Sequence, residues 1–290
     1  MMLSSQEIAE CVQWACEQEV AAPKPGNVNC FSGGHNMQVE DFLLSAKAIA
    51  PVLANPNLTV GELILQAIQA TRTVVNCNTN LGIVLLFAPL CRAIHNCRTF
   101  EQLPEALTRV LNTLTIDDAK ACYKAIRLAD AGGLGKAEKQ DIKTTPIISL
   151  KQAMALAQEH DTIAKQYLNN YHEIFYIGLP NLTSAINCEE SIEWATGLAY
   201  LKIISSVPDT LICRKQSREH ANAVSKKAKD LVKKMNNSYR LSHLKNDIIA
   251  WDNELKKEAI NPGTTADLTA ATLLLYAFQS KLSSHRISVS

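Results

Sequence analysis

The chain has 290 residues, of which 47% are apolar and 20% are charged, and its formal net charge is +1. This composition is that of a globular protein long enough to bury a large core. The near-neutral balance gives no reason to expect nucleic acid or an anionic membrane as a partner. The N-terminus lacks the basic and apolar regions of a signal peptide, and the longest apolar run, residues 83–90, is too short to span a bilayer. We therefore expect neither a signal peptide nor a membrane span.

Nine cysteines are scattered along the chain without CxxC pairs. Several of them, Cys11, Cys16, Cys91 and Cys122, fall on apolar helical positions, where a free thiol behaves as a small hydrophobic side chain. We expect free thiols rather than a disulfide framework or a structural zinc site, and a reducing, cytoplasmic location.

Apolar residues recur at helical spacing along most of the chain. The first helix begins at a capping box formed by Ser4 and Glu7 and ends at Pro23. Further helices are predicted over residues 40–54, 60–75, 83–95, 100–114, 116–129, 150–171, 188–205, 226–234 and 268–282. No stretch alternates with period two, so we predict an all-α fold with a single compact domain of roughly ten helices over residues 1–290.

Two polar segments interrupt the N-terminal half of this pattern. Residues 22–35 contain two prolines and three glycines, which prevent a helix, among polar side chains that include Lys24, Asn27 and His35. The alternative is an ordinary surface connection. Residues 76–82 place three asparagines and a threonine directly before an apolar helix, which fits either an N-cap or an anion-binding helix start.

Further breaks follow in the second half of the chain. Residues 129–141 are rich in glycine and charge, but they lack the spacing of a P-loop and also fit a plain loop. Asp209 lies in a break after the helix that ends near residue 205. Asp267 opens the last helix, where Thr264 and Asp267 also fit a capping box.

Each break lies at a helix end, where helical proteins commonly form ligand sites. Together the breaks supply one lysine, one histidine, several amides and the carboxylates Asp130, Glu138, Asp141, Asp209 and Asp267. This set suits a polyphosphate bound with Mg²⁺, which needs few protein carboxylates because phosphates and water complete its shell. No His/Cys cluster supports zinc, and no GxSxG motif supports a serine nucleophile.

The motifs in these breaks resemble, in order, those of the triphosphoribosyl-dephospho-CoA synthase family: Pro23-Lys24-Pro25-Gly26, Ser32-Gly33-Gly34-His35, Glu40-Asp41-Phe42, Asn78-Thr79 with Gly82, Asp209-Thr210, and Pro262-Gly263 through Ala266-Asp267-Leu268. The resemblance implies an all-helical transferase of cofactor biosynthesis. In the family's reaction, ATP donates its 5-triphosphoribosyl group to a hydroxyl of dephospho-CoA, and adenine leaves.

The resemblance and the residue inventory together predict the site. We assign catalysis and Mg²⁺ binding to Asp209, Asp267 and Glu138, and leave open which carboxylate is the base. Contacts to ATP are assigned to Lys24 on the triphosphate and, on the rest of the nucleotide, to Gly26, Asn27, His35, Asn78, Thr79, Asn80 and Gly82.

The chain departs from the family pattern at several positions. Asn29 and Leu211 replace a common Asp and Asn, Leu81 replaces a Lys, and residues 129–138 match the family's Gly-rich loop only loosely. Two alternatives therefore stay open: ribosyl transfer to another acceptor, such as a methanopterin-type pterin, or a non-catalytic nucleotide-binding helical protein. Release of adenine from ATP would separate catalysis from binding alone. The sequence also leaves a homodimer open.

Overall fold

The computed structural model of the protein describes residues 1–29, 38–129, 144–235 and 238–287. Over these ranges the chain forms fourteen α-helices and no β-strand, which confirms the predicted all-α fold. The helices are α1 Ser5–Ala21, α2 Val39–Leu53, α3 Val60–Val74, α4 Leu81–Ile94, α5 Leu103–Asn112, α6 Ile116–Ala129, α7 Leu150–Ala157, α8 Thr162–Asn169, α9 Leu179–Asn187, α10 Ile192–Ser206, α11 Thr210–Lys215, α12 Arg218–Lys234, α13 Lys245–Lys257 and α14 Gly263–Ile287.

The count exceeds the predicted ten because several helices are short. The predicted helix over residues 150–171 is two helices, α7 and α8, and Asp161 caps the second of them. Helices α9, α11 and α13 were not predicted as separate elements. Helices α9 and α11, with nine and six residues, have too few turns for their apolar periodicity to stand out from a loop. Helix α13 has 13 residues, but its sequence is mostly polar, which hides its short apolar face.

The N-terminal helix follows its sequence signals closely. The Glu7 N–H donates to Ser4 Oγ at 3.3 Å and the Ser4 N–H donates to Glu7 Oε2 at 2.9 Å, which completes the predicted capping box. Cys11 and Cys16 are buried on the inner face, and burial raises the pKa of the Cys11 thiol to about 12. The cysteines of the described ranges are all free thiols, as predicted.

Helices α4 and α14 form the centre of the fold. In α4 every residue except Gly82 and Arg92 is buried, which is the pattern of a helix surrounded by other helices. Helix α14 packs against α1, α4 and α10. Packing at the centre brings the starts of α4 and α14 together. In the part of the chain that is described, no helix is both long and apolar enough to cross a membrane.

A proline inside α4 explains the hydrogen bond of one of two buried tyrosines. Pro89 has no N–H, so the carbonyl of Leu85, four residues earlier, loses its helical donor. The Tyr167 hydroxyl donates to that carbonyl at 2.6 Å, and the Tyr171 hydroxyl donates to the Leu86 carbonyl at 3.0 Å. Helix α8 is thereby fixed against the first half of α4, close to the predicted site.

Candidate functional site

The starts of α4, α8, α11 and α14 meet, and we call this region the helix-start junction. The Thr162 N–H donates to Thr210 Oγ1 at 3.2 Å, and the Thr210 hydroxyl donates to Thr264 Oγ1 at 3.2 Å. A side chain at Gly82 would overlap the Asp267 carboxylate and would lie 2.8 Å from Cδ1 of Ile163. Helix starts carry partial positive charge, so the junction favours negatively charged groups, among them the aspartates described next.

Asp209 joins two of these helices. Its Oδ1 accepts the N–H groups of Leu211 and Ile212 at 2.8 and 3.1 Å, which caps α11. Its Oδ2 accepts both the N–H and the hydroxyl of Thr265 at 2.7 Å, at the start of α14. A carboxylate offers about four acceptor positions, and all of those on Asp209 are used. Burial raises the pKa of this carboxyl, and the hydrogen bonds from Thr265, Ile212 and Leu211 oppose that rise.

Asp161 caps α8 in the same way and also bonds to a residue of α11. Its Oδ1 accepts the N–H groups of Ile163 and Ala164 at 2.8 and 3.3 Å. Its Oδ2 accepts a hydrogen bond from Arg214 Nη1 at 2.6 Å. The two Asp-Thr pairs, at 161–162 and 209–210, thus begin neighbouring helices in the same way.

Asp267 differs from both capping aspartates. It lies in the second turn of α14, is partly exposed, and receives no hydrogen bond from any residue in the described ranges. Its pKa is raised well above the usual range, first by desolvation and then by the negative charges of Glu19, Asp209 and Asp161, while Lys24 opposes the rise. Asp267 therefore carries oxygen acceptors that the described protein leaves available.

The first predicted binding segment is buried where it is described. Lys24 is 1% exposed; its ammonium forms an ion pair with Glu19 and donates to Asn27 Oδ1 at 2.9 Å. Burial lowers the pKa of Lys24 and raises that of Glu19, and the ion pair opposes both changes. Lys24 is thus enclosed by protein, its positive charge opposes the rise in the pKa of Asp267, and its assignment to the triphosphate remains a prediction.

Gly26 shows why this segment contains a glycine. Its φ is +83°, and a side chain there would lie 2.9 Å from the Ile260 carbonyl oxygen and from Pro262 Cδ. Its N–H donates to Asp252 Oδ1 at 2.8 Å. The Tyr200 hydroxyl donates to the Pro25 carbonyl at 2.8 Å. The segment is therefore packed onto α10, α13 and the approach to α14.

The second predicted segment has two buried residues that bond to neighbouring helices and one exposed asparagine. Thr79 is buried and shares a 2.6 Å hydrogen bond with the hydroxyl of Ser45, and buried Asn80 donates to Thr71 Oγ1 at 2.9 Å. These bonds attach the start of α4 to α2 and α3. Asn78 is exposed and accepts the Leu81 N–H at 3.1 Å. Asn80, the N-cap residue of α4, makes no capping hydrogen bond with its side chain, so the structure does not support a simple N-cap. The contacts of this segment to nucleotide remain predictions.

Two predicted site residues, His35 and Glu138, lie outside the described residues, as do Asp130 and Asp141. Within the described ranges no group of three or more His, Cys, Asp or Glu side chains could hold a metal ion. The assignment of Mg²⁺ to Asp209, Asp267 and Glu138 therefore remains a prediction.

Sequence reasoning missed several residues that shape the junction. Asp161 was placed inside a long helix, although the repeated Asp-Thr dipeptide was a signal that two helix starts are alike. Glu19 and Asp252 hold the first predicted segment from inside regular helices, with no sequence pattern to indicate it. Arg214 was not singled out because its partner, Asp161, is 53 residues away.

The comparisons with known proteins agree with this architecture. The chain matches the family model for ATP:dephospho-CoA triphosphoribosyl transferase (CitG) over residues 5–286. A crystal structure from Archaeoglobus fulgidus, provisionally described as a triphosphoribosyl-dephospho-CoA synthase, superposes with a TM-score of 0.63 at 24% identity, covering 82% of this chain and 98% of that one. At this identity the structural match establishes the shared fold. A search among curated proteins gave no match.

The family match covers nearly the whole chain, including all the motifs on which the resemblance was based. It confirms the predicted enzyme class and the predicted reaction, transfer of a triphosphoribosyl group to dephospho-CoA, over the two alternatives. The chain belongs to the ATP:dephospho-CoA triphosphoribosyl transferase family.

Proposed function

We propose that the family's reaction takes place at the helix-start junction, and that Asp267 is the base that accepts the proton of the acceptor hydroxyl. One observation supports this choice above all: the Asp267 carboxylate faces Gly82 at the junction and receives no hydrogen bond from the described residues. A general base must be able to reach the proton that it accepts. Asp209 fails this requirement because its acceptor positions are occupied.

The chemistry is a substitution at the anomeric carbon of the ribose. The bond from this carbon to adenine breaks, its electron pair leaves with adenine, and adenine takes up a proton from water. The hydroxyl oxygen of dephospho-CoA forms the new bond to the carbon, and its proton passes to Asp267. Positive charge builds up on the sugar during such a substitution, as in glycoside hydrolysis. The surrounding carboxylates, among them Asp161 and Asp209, stabilise that charge.

ATP binding, Mg²⁺ and a cytoplasmic role in cofactor biosynthesis form part of the proposal. When bound, Mg²⁺ would neutralise charge on the triphosphate. Of the carboxylates predicted to bind it, Asp267 has oxygens free to do so in the described structure, whereas Asp209 would first have to give up the bonds that cap α11 and α14. The free thiols of the described cysteines are consistent with a reducing compartment.

The decisive experiment measures adenine released from ATP and Mg²⁺, with and without dephospho-CoA. We expect release that requires dephospho-CoA, and a rate about 10²–10⁴ times lower in Asp267→Asn. Asp117→Asn is the matched control, because Asp117 is an exposed carboxylate on α6, and its rate should equal that of the wild type.

Three results would change the interpretation. A wild-type rate in Asp267→Asn would refute Asp267 as the base. A variant that recovers its rate at high Mg²⁺ would identify Asp267 as a metal ligand instead. ATP binding without adenine release under any condition would refute catalysis and favour the non-catalytic alternative.

A further inference from the structure

Arg214 projects from α11 toward the helix-start junction. Thr210 and Arg214 are four residues apart and so share one face of α11. Thr210 on that face bonds to the starts of α8 and α14. Arg214 lies one turn further along on this face and contacts Asp161 at the start of α8. Its side chain retains 22% exposure.

The hydrogen-bonding capacity of Arg214 is mostly unused within the described structure. A guanidinium has five N–H donors. One nitrogen, Nη1, donates to Asp161 Oδ2 at 2.6 Å. The Nε atom is buried and meets no acceptor among the residues that the structure describes. Burial of a charge-bearing donor without an acceptor is unfavourable, so the position calls for an additional anionic or oxygen-rich partner.

Two other described positions near the junction offer no available cation. Position 81, at the start of α4, is a leucine, and Lys24 forms a buried ion pair with Glu19. Asp161 accepts the N–H of Ile163, and Ile163 and Asp267 both lie against Gly82, which places the Arg214–Asp161 pair near the proposed reaction site. A triphosphate brought to this site needs a cation with planar, multiple donors, which is the property of arginine.

We propose that Arg214 binds the triphosphate of the substrate, and that Asp161 holds the guanidinium in place beforehand while competing with the phosphate for it. This inference rests on the proposed location of the reaction. It assigns to α11 a specificity residue for the nucleotide. Asp161 is then a positioning residue, because it acts through Arg214.

Binding of inorganic tripolyphosphate, measured by calorimetry on the full chain, tests this without turnover. Arg214→Gln should weaken binding by roughly tenfold to a hundredfold, since a charge-assisted hydrogen bond is lost. Arg214→Lys should fall in between, because lysine keeps the charge but loses the planar donors. Asp161→Asn should bind as tightly as the wild type or more tightly, because asparagine still caps α8 and the competing charge is gone.

Lys215→Gln is the matched control, because it removes one positive charge from an exposed position on the same helix. Equal binding by Arg214→Gln and Lys215→Gln would overturn the proposal. Equal weakening by Arg214→Gln and Asp161→Asn would also overturn it, since that result indicates a purely structural ion pair. Thermal melts of each variant identify any loss caused by unfolding. Tight tripolyphosphate binding in a wild type that releases no adenine would refute the proposed reaction and leave the role of Arg214 intact.

Discussion

Asn29 offers the sharpest test of how the first predicted segment is held. The amide Nδ2 of Asn29 donates to Asp252 Oδ1 at 3.1 Å and to the carbonyls of Lys24 and Asn27 at 3.2 and 3.0 Å. Asp252 also accepts the Gly26 N–H. Because Asp252 supplies the carboxylate acceptor, residue 29 must supply a hydrogen-bond donor, and an ionised aspartate has none. In this chain Asn29 therefore matches the carboxylate that it faces.

The substitution Asn29→Asp would place a second carboxylate next to that of Asp252, at positions that are 1% and 3% exposed. A buried charge left without compensation costs about 3–5 kcal/mol of unfolding free energy. Removal of the donor alone costs about 1–3 kcal/mol. We therefore expect Asn29→Asp to lower the free energy of unfolding by about 3–5 kcal/mol at pH 7, and Asn29→Leu to lower it by about 1–3 kcal/mol.

Urea denaturation measures these differences, and two comparisons isolate the charge. The loss in Asn29→Asp should shrink at pH 5, because one of two adjacent buried carboxyls then binds a proton. The double variant Asn29→Asp/Asp252→Asn should recover about 1–2 kcal/mol of that loss, since a donor again faces an acceptor. Recovery should be incomplete because Lys256, 3.0 Å from Asp252 Oδ2, loses its charged partner.

Asn29→Asp with wild-type stability, or with a loss equal to that of Asn29→Leu at every pH, would refute this reasoning. Either result would mean that the carboxylate of Asp252 does not determine the residue at position 29. The amide would then be better explained as a sign of altered activity than as a consequence of packing.

Three further predictions concern the junction and its support. Asp267→Asn should stabilise the protein at pH 7 and have little effect at pH 4, as measured by urea unfolding at both pH values. Because folding raises the pKa of Asp267, this carboxyl makes the folded protein less stable as the pH rises above the pKa of the unfolded state. Gly82→Ala should reduce adenine release by roughly 10²-fold while costing about 1–3 kcal/mol in a melt, because the new methyl group displaces the Asp267 carboxylate. Tyr167→Phe should cost about 1–3 kcal/mol by urea unfolding, and less in a Pro89→Ala background, where the restored N–H can bond to the Leu85 carbonyl.

Sequence reasoning succeeded wherever one local pattern determines one structural feature. The Ser4–Glu7 capping box lies within a single turn, and the apolar periodicity of α4 requires only its own residues. The break at Gly26 was likewise visible, because proline and glycine restrict or free the backbone on their own. These features need no knowledge of distant parts of the chain.

Sequence reasoning failed where function depends on contacts between residues that are distant in the chain. Nothing local shows that Lys24 forms an ion pair with Glu19 in a buried position, or that Asp252, 223 residues away, faces Asn29. From the sequence alone, the Lys24 ammonium could equally have faced solvent and bound phosphate. The sequence therefore shows that Lys24 lies in a segment that cannot be helical, but it does not show whether the ammonium is accessible.

The aspartates of the junction show most clearly what the sequence alone cannot predict. Asp209 and Asp267 were predicted as equivalent carboxylates, because the sequence shows only that each lies near a helix start. In the structure Asp209 accepts four hydrogen bonds and Asp267 accepts none from the described residues. A carboxylate whose acceptor positions are filled can orient helices, whereas one with open positions can take a proton or a cation. Loss of Asp209 should therefore lower stability and activity together, and loss of Asp267 should lower activity while stability at neutral pH rises.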